Sequence, residues 1–540
     1  MTKSKLFLMF FVYFIFTEMS VTGQTNWNKT IGGTDNDESV SLTRTSDKGY
    51  IITGYTGSKD KDFLDMNKGS YDIFVIKYDS NDREVWKKNI GGWKDDYGLN
   101  VISSNDGGCI VTGGTLSNDG DFGGMNKGGE DIFVVKLNGQ GKIVWKKLYG
   151  GNKNDICYSI SSTNDNGYIL TGLTKSQDGD FDGYKEFKDY NDIFLIKIDS
   201  LGNLLWVKVF GGQGEDIGVS VFQDTNNEFV LTGHSSSNDG VFSGLNKFLS
   251  DVFVFKLDSL GNILWKKSIG GRGYDQVSQL KPYKNNGFIL TGKTNSNTDD
   301  FREMIKGEYD VFVIRMDSIG NIIWKKTFGG TKSEESFCIS YTSNGDILLV
   351  GNTSSNNGDF NGMNRLVNTN DIFLIKLDSL GELIWKKTYG GTGNDQGRSL
   401  EVNDNGNIYV TGYTDSKDGD FLGMTNEWYF DVYFMKLDSN GNLNNTTSIN
   451  EFSEPTTTLS VHPNPFSNST TISYIVETPS NISIELLNTL GQTIEVLRND
   501  YSDSGTYQLP LNVSNLTSGM YSVRMRSGSI SMVVPVWVVK

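Results

Sequence analysis

Carboxylates are the commonest groups in this chain that could do chemistry, and they recur in register. An acid stands four residues after each of seven Gly-Gly pairs: Asp37, Asp96, Asp155, Asp216, Asp275, Glu334 and Asp395. A second set, Asp72, Asp131, Asp192, Asp251, Asp310, Asp371 and Asp431, opens alternating apolar segments. Loops such as Ser117-Asn-Asp-Gly-Asp-Phe122 and Ser416-Lys-Asp-Gly-Asp-Phe421 add Asp119, Asp121, Asp178, Asp180, Asp418 and Asp420. Hard oxygen ligands at such short spacing suit calcium, the one cofactor the sequence suggests. The same spacing suits Asp side chains that accept backbone N–H groups in tight turns and tie neighbouring loops together. The full twelve-residue calcium-loop pattern with its terminal Glu is absent, which favours the second reading.

Other chemistries are poorly supplied. The two histidines, His234 and His462, fit no catalytic or metal-ligand pattern, which argues against a Ser-His-Asp triad and a zinc site. Glycoside cleavage needs a singular acid and base, whereas this chain repeats each carboxylate in near-copies. Cys109, Cys157 and Cys338 are an odd number at unrelated positions, so buried free thiols are expected. The net charge of −16 argues against nucleic acid and anionic membrane surfaces as partners.

Residues 1–24 read as a secretory signal, with Lys3 and Lys5 before an apolar run at 6–16 and small residues near 20–23. The run is too short to span a membrane, so no transmembrane helix is expected in the mature chain. No cysteine follows it closely enough to take a lipid anchor.

The elements that must position the acids are set by repetition. Trp27, Trp86, Trp145, Trp206, Trp265, Trp324 and Trp385 recur at near-constant spacing, each a few residues before a Gly-Gly pair. A repeat of this size cannot bury its own apolar face and must stack on copies of itself. Within a repeat, turns such as Asp199-Ser-Leu-Gly-Asn203 and Asn226-Asn227 separate four short strand patterns, which make one propeller blade. Gly390-Gly-Thr-Gly-Asn-Asp-Gln-Gly-Arg-Ser399 and Asn407-Ile-Tyr-Val-Thr-Gly-Tyr-Thr414 resemble the bacterial β-propeller repeat family, and all seven repeats fit, over about residues 27–442. Asp258-Ser-Leu-Gly-Asn-Ile-Leu-Trp265 is similar to the tryptophan-docking turn of quinoprotein propellers. That resemblance implies an outermost Trp strand packed between blades, and an innermost strand after each Gly-Gly. The fold expected is all-β: a seven-bladed β-propeller of four-stranded blades over residues 25–445, its N-terminal strand completing the last blade. The tryptophans and the loop phenylalanines (Phe63, Phe122, Phe181, Phe242, Phe301, Phe360 and Phe421) are then scaffold.

Function is sought where the repeat fails. Trp93 and Trp428 are out of register and are expected on the acidic face, with Tyr97 and Tyr429 close by, as is the irregular segment 184–190. Aromatic rings beside carboxylates hold sugars, because the apolar sugar face stacks and the hydroxyls need acceptors.

After a polar linker at 446–458 the pattern changes. Pro463-Asn-Pro-Phe466, Thr471-Ile-Ser-Tyr474, Leu490-Gly-Gln492 and Leu516-Thr-Ser-Gly-Met-Tyr521 closely resemble the type A C-terminal sorting domain of the type IX secretion system, over 459–540. The resemblance implies a small β-sandwich, the type IX machinery as partner, and a secreted or outer-membrane-associated surface location. The whole reads as an exported, non-enzymatic propeller that binds a glycan or protein through its acidic face. A polysaccharide-degrading propeller, a purely structural or adhesive surface protein, and a quinone-dependent dehydrogenase are the alternatives.

Overall fold

The computed structural model describes residues 28–184, 190–362, 369–422, 429–443, 459–476, 479–488, 492–512, 516–527 and 530–540. The signal, the linker, Trp27 and Trp428 fall outside these. Two compact units separate, one spanning Thr25–Asn444 and one containing Asn445–Lys540.

The first unit is a propeller of seven four-stranded antiparallel sheets. Blades 1 to 6 each run from an inner strand, such as Asp37–Arg44, through two middle strands to an outer one, such as Glu84–Ile90. Blade 7 takes three strands from residues 395–437 and its outer strand, Asn28–Ile31, from the opposite end of the chain. That pairing joins the first and last blades, so the ring is held by ladder hydrogen bonds.

Blades are clasped by the repeated tryptophans. The Trp86 indole donates to the Gly139 carbonyl of the next blade at 3.0 Å. It packs on Gly141, where φ is +73° and an added Cβ would lie 2.8 Å from the ring. Trp145, Trp206, Trp265, Trp324 and Trp385 pack the same way on Gly202, Gly261, Gly320, Gly381 and Gly441. Only a left-handed residue without a Cβ allows this approach. Blade 1 has Asp82 there instead, at φ +64°. It is buried, accepts the Tyr409 hydroxyl at 3.0 Å, and pairs with Lys436 at 2.6 Å, both from blade 7. The closing seam thus carries a buried ion pair in place of the glycine. All seven loop phenylalanines are buried at the ends of short 3₁₀ turns, against an aromatic residue of the third strand.

The second unit is a sandwich of a three-stranded and a four-stranded antiparallel sheet. Its core alternates along each strand, as in Ile472, Tyr474, Val476 and Ile482, Ile484, Leu486.

Candidate functional site

The inner strand of every blade carries a β-bulge at one position, where register skips a residue. A bulge turns its side chain away from the sheet ladder and is a common way to aim a group at a site. The bulged residues are Val40, Leu99, Tyr158, Val219, Ser278, Phe337 and Arg398, and all seven line an axial cavity of about 720 Å³. A second depression of about 500 Å³ shares Phe222, Pro282 and Tyr341 with it and is walled by the inner hairpin turns of blades 4 to 6. Of the lining residues, sequence analysis names His234 and Cys338 but assigns neither to a site. The signal was faint: the bulge residue changes type from blade to blade, but its two neighbours vary as well.

Across this cavity the charges are mostly matched. Lys281 of blade 5 reaches Glu401 of blade 7 at 3.8 Å, and Lys293 pairs with Glu335 at 3.0 Å. Burial holds the His234 imidazole down at about 4, so the ring is neutral near pH 7, with Nδ1 buried and unbonded.

On the Gly-Gly face, Tyr55 of blade 1 meets Tyr71 edge-on at 5.6 Å between ring centroids and Tyr97 of blade 2 at 5.0 Å. The Tyr55 hydroxyl donates to Glu38. Burial, with Asp95 and Glu130 nearby, pushes Tyr97 up to about 12. Glu130 is itself pushed up to about 7, chiefly by burial and then by the charge of Asp95. Trp93 stands 75% exposed on the loop that leads to Tyr97, and that loop runs beside Gly69 and Tyr71. Trp93 and Tyr97 therefore share one corner. Tyr429, 44% exposed, lies on blade 7, and no ring contact joins it to them among the described residues. Trp428 lies outside the described residues.

The repeated acids are engaged within the fold. Asp96 is fully buried and accepts the Gly92 N–H at 2.8 Å, the Ser117 hydroxyl at 2.8 Å and the Thr115 hydroxyl. Asp119, Asp178 and Asp418 accept the backbone N–H of Trp93, Asn152 and Thr392 at 2.8, 2.8 and 2.7 Å. Asp121 and Asp180 pair with Lys68 and Lys127 of the preceding blade while accepting Gly91 and Gly150 N–H groups. Asp420 accepts the Gly390 N–H at 3.0 Å. Among the described residues no three His, Cys, Asp or Glu side chains are grouped to hold a metal ion. The three cysteines are free and buried, and burial pushes the Cys109 and Cys157 thiols up to about 12.

In the second unit, the segment Pro463-Asn-Pro-Phe466 grips the C-terminal strand. Asn464 accepts the Trp537 N–H at 2.8 Å and donates to the Pro535 carbonyl at 2.9 Å, while Phe466 enters the core. Residues 460–539 match the family model of the secretion system C-terminal sorting domain. This unit is a secretion sorting domain. The sorting domain implies export by type IX secretion and surface or outer-membrane association. Residues 384–420 match the Beta-propeller repeat model. An uncharacterized WD repeat-containing protein of Acanthamoeba polyphaga mimivirus is 22% identical over 53% of this chain and 26% of its own length. The regulatory protein FlaEY of Caulobacter vibrioides is 28% identical over 28% of this chain and 16% of its own. The chain thus spans about a quarter or less of these relatives. Among solved structures, PorZ of the type IX system of Porphyromonas gingivalis is similar over 92% of this chain and 70% of its own, with 11% identity and a TM-score of 0.32. A puromycin hydrolase is similar over 82% of this chain and 59% of its own, with 9% identity and a TM-score of 0.42. Among the described residues no helix is long and apolar enough to cross a membrane.

Proposed function

We propose that this exported propeller is a non-enzymatic binding module that takes a glycan or protein ligand on its Gly-Gly face, at the corner formed by Trp93, Tyr97, Tyr71 and Tyr55. The carrying observation is the cluster of three tyrosines, with Glu38, Asp95 and Glu130 adjoining, reached by a loop that carries the exposed Trp93 four residues before Tyr97. Stacking rings supply the apolar platform, and carboxylates accept from sugar hydroxyls. A protein partner would use the same exposed Trp as an anchor. Calcium at the Asp119, Asp178 and Asp418 loops would act as a loop brace rather than as a reactant. Glycan-array binding of the full chain tests the reading against a Trp93→Ala/Tyr97→Ala variant. Retained glycan binding in a folded variant, or no binding by the wild type to glycans or to outer-surface proteins, sinks it.

One observation favours the enzyme reading. Glu130 is a carboxyl raised to about 7 where the other blades have Tyr71, Asn191, Ser250, Tyr309, Asn370 and Phe430, and Asp95 lies close. A singular acid beside a second carboxylate is what polysaccharide cleavage requires. Turnover on polysaccharides, abolished by Glu130→Gln, would replace the binding reading with this one.

A further inference from the structure

Of the seven bulge residues around the axis, six are neutral and one is a cation, Arg398. Its setting is unusual in a chain of net charge −16. Among the described residues the guanidinium forms no ion pair. It donates one hydrogen bond, to the Tyr413 hydroxyl at 2.7 Å, and its Nε is buried without a partner. It lies over the Phe337 ring at 4.1 Å and beside the Tyr413 ring at 5.2 Å.

The acids around it are committed elsewhere: Glu38 to Tyr55, Glu335 to Lys293 and Glu401 to Lys281. A planar fork held on an aromatic ring, with a dry donor left over, is prepared for a planar anion. Nε faces the protein, and Nη1, which makes no hydrogen bond among the described residues, is the donor that an acceptor in the cavity would meet. Elsewhere in the lining the walls are apolar at Val40 on the adjoining blade 1, at Leu99 and at Val219, and His234 offers a second unbonded polar atom.

We propose that the axial cavity binds a small organic acid, its carboxylate seated on the Arg398 fork and its apolar body against Val40, Leu99 and Val219. A carboxylate fits better than a phosphate because Lys281, the other cation in the described lining, is paired with Glu401, leaving one positive charge for the ligand. The site is separate from the aromatic corner, since neither Trp93 nor Tyr97 lines the cavity.

Isothermal titration of the full chain with 1-naphthoate and octanoate, beside their primary alcohols and inorganic phosphate, tests this. Saturable one-to-one binding of at least one acid is expected, with its alcohol and phosphate at least tenfold weaker. Arg398→Gln should weaken that acid tenfold or more, Arg398→Lys should restore part of the loss, and Trp93→Ala should leave it unchanged. The proposal is overturned if neither acid binds the wild type, if the alcohols bind as tightly as the acids, or if folded Arg398→Gln binds like wild type. Should Arg398→Gln fail to fold, the acid-to-alcohol ratio on the wild type decides.

Discussion

The walls of the propeller and the lining of its axis are built by opposite rules. Between blades, one solution is repeated: a Trp on the outer strand, a left-handed Gly to receive it, a buried acid below each Gly-Gly, a buried Phe under each long loop. Around the axis, seven equivalent bulges hold valine, leucine, tyrosine, serine, phenylalanine and arginine side chains. The walls repeat because each blade must present the same face to its neighbour for the ring to close. The lining is free to differ because the Trp–Gly clasps that close the ring do not run through it, even where Arg398 of blade 7 lies over Phe337 of blade 6. Residues that could recognise something singular therefore collect where closure makes no demand.

The largest effect expected from breaking this contrast is at the seam. Asp82→Ala removes the acid that accepts the buried Tyr409 hydroxyl and pairs with half-buried Lys436, and should cost about 2–4 kcal/mol in denaturant unfolding, less than a fully buried pair would. A loss under about 1 kcal/mol would mean that the seam is held by strand pairing alone.

Next comes a single wall glycine. Gly320→Ala places a Cβ 2.7 Å from the Trp265 ring at φ +81°. A loss of about 1–3 kcal/mol is expected from overpacking and backbone strain together. An unchanged unfolding midpoint would show that the tryptophan can shift without cost.

The buried acids give a smaller, pH-dependent effect. Burial lifts Asp37 and Asp131 to about 7 and Asp72, Asp216, Asp251 and Asp395 to about 6. Unfolded Asp titrates near 3.9, so between about pH 4 and pH 7 the folded chain holds more protons than the unfolded one. Their contribution to stability is therefore complete below about pH 4 and is lost as pH rises through 6 to 7. The thermal midpoint should fall by several degrees from pH 5 to pH 8, and Asp131→Asn should shrink that fall. A midpoint that rises over this range would contradict the assignment.

Smallest of all should be changes in the lining. Arg398→Gln is expected to move stability by no more than about 1 kcal/mol, since it breaks no ion pair among the described residues. A loss as large as that of Asp82→Ala would make Arg398 part of the wall and erase the contrast.

Much of the fold was legible because closure requires repetition. The regular Trp and Gly-Gly spacing gave blade number, the resemblance of the Trp turn gave strand order, and in the structure Asn28–Ile31 pairs with the last blade's Asp431–Leu437. The sorting domain was legible from Pro463-Asn-Pro-Phe466, a segment whose side chains hold the final strand. The site was only partly so. Trp93 and Tyr97 stand out as breaks in the repeat, but their neighbours Tyr55 and Tyr71 sit at ordinary repeat positions in blade 1. Tyr429 stands at the end of the last long loop, on blade 7, apart from that cluster.

The sequence by itself determined the number of blades, their strand order and the sorting domain, because these rest on local patterns repeated or concentrated along the chain. Only the tertiary structure decided that Arg398 faces an axial cavity whose nearby acids are engaged by other groups. Direction at a bulge depends on the ladder register beside it. How those acids are engaged depends on where six other blades point their side chains.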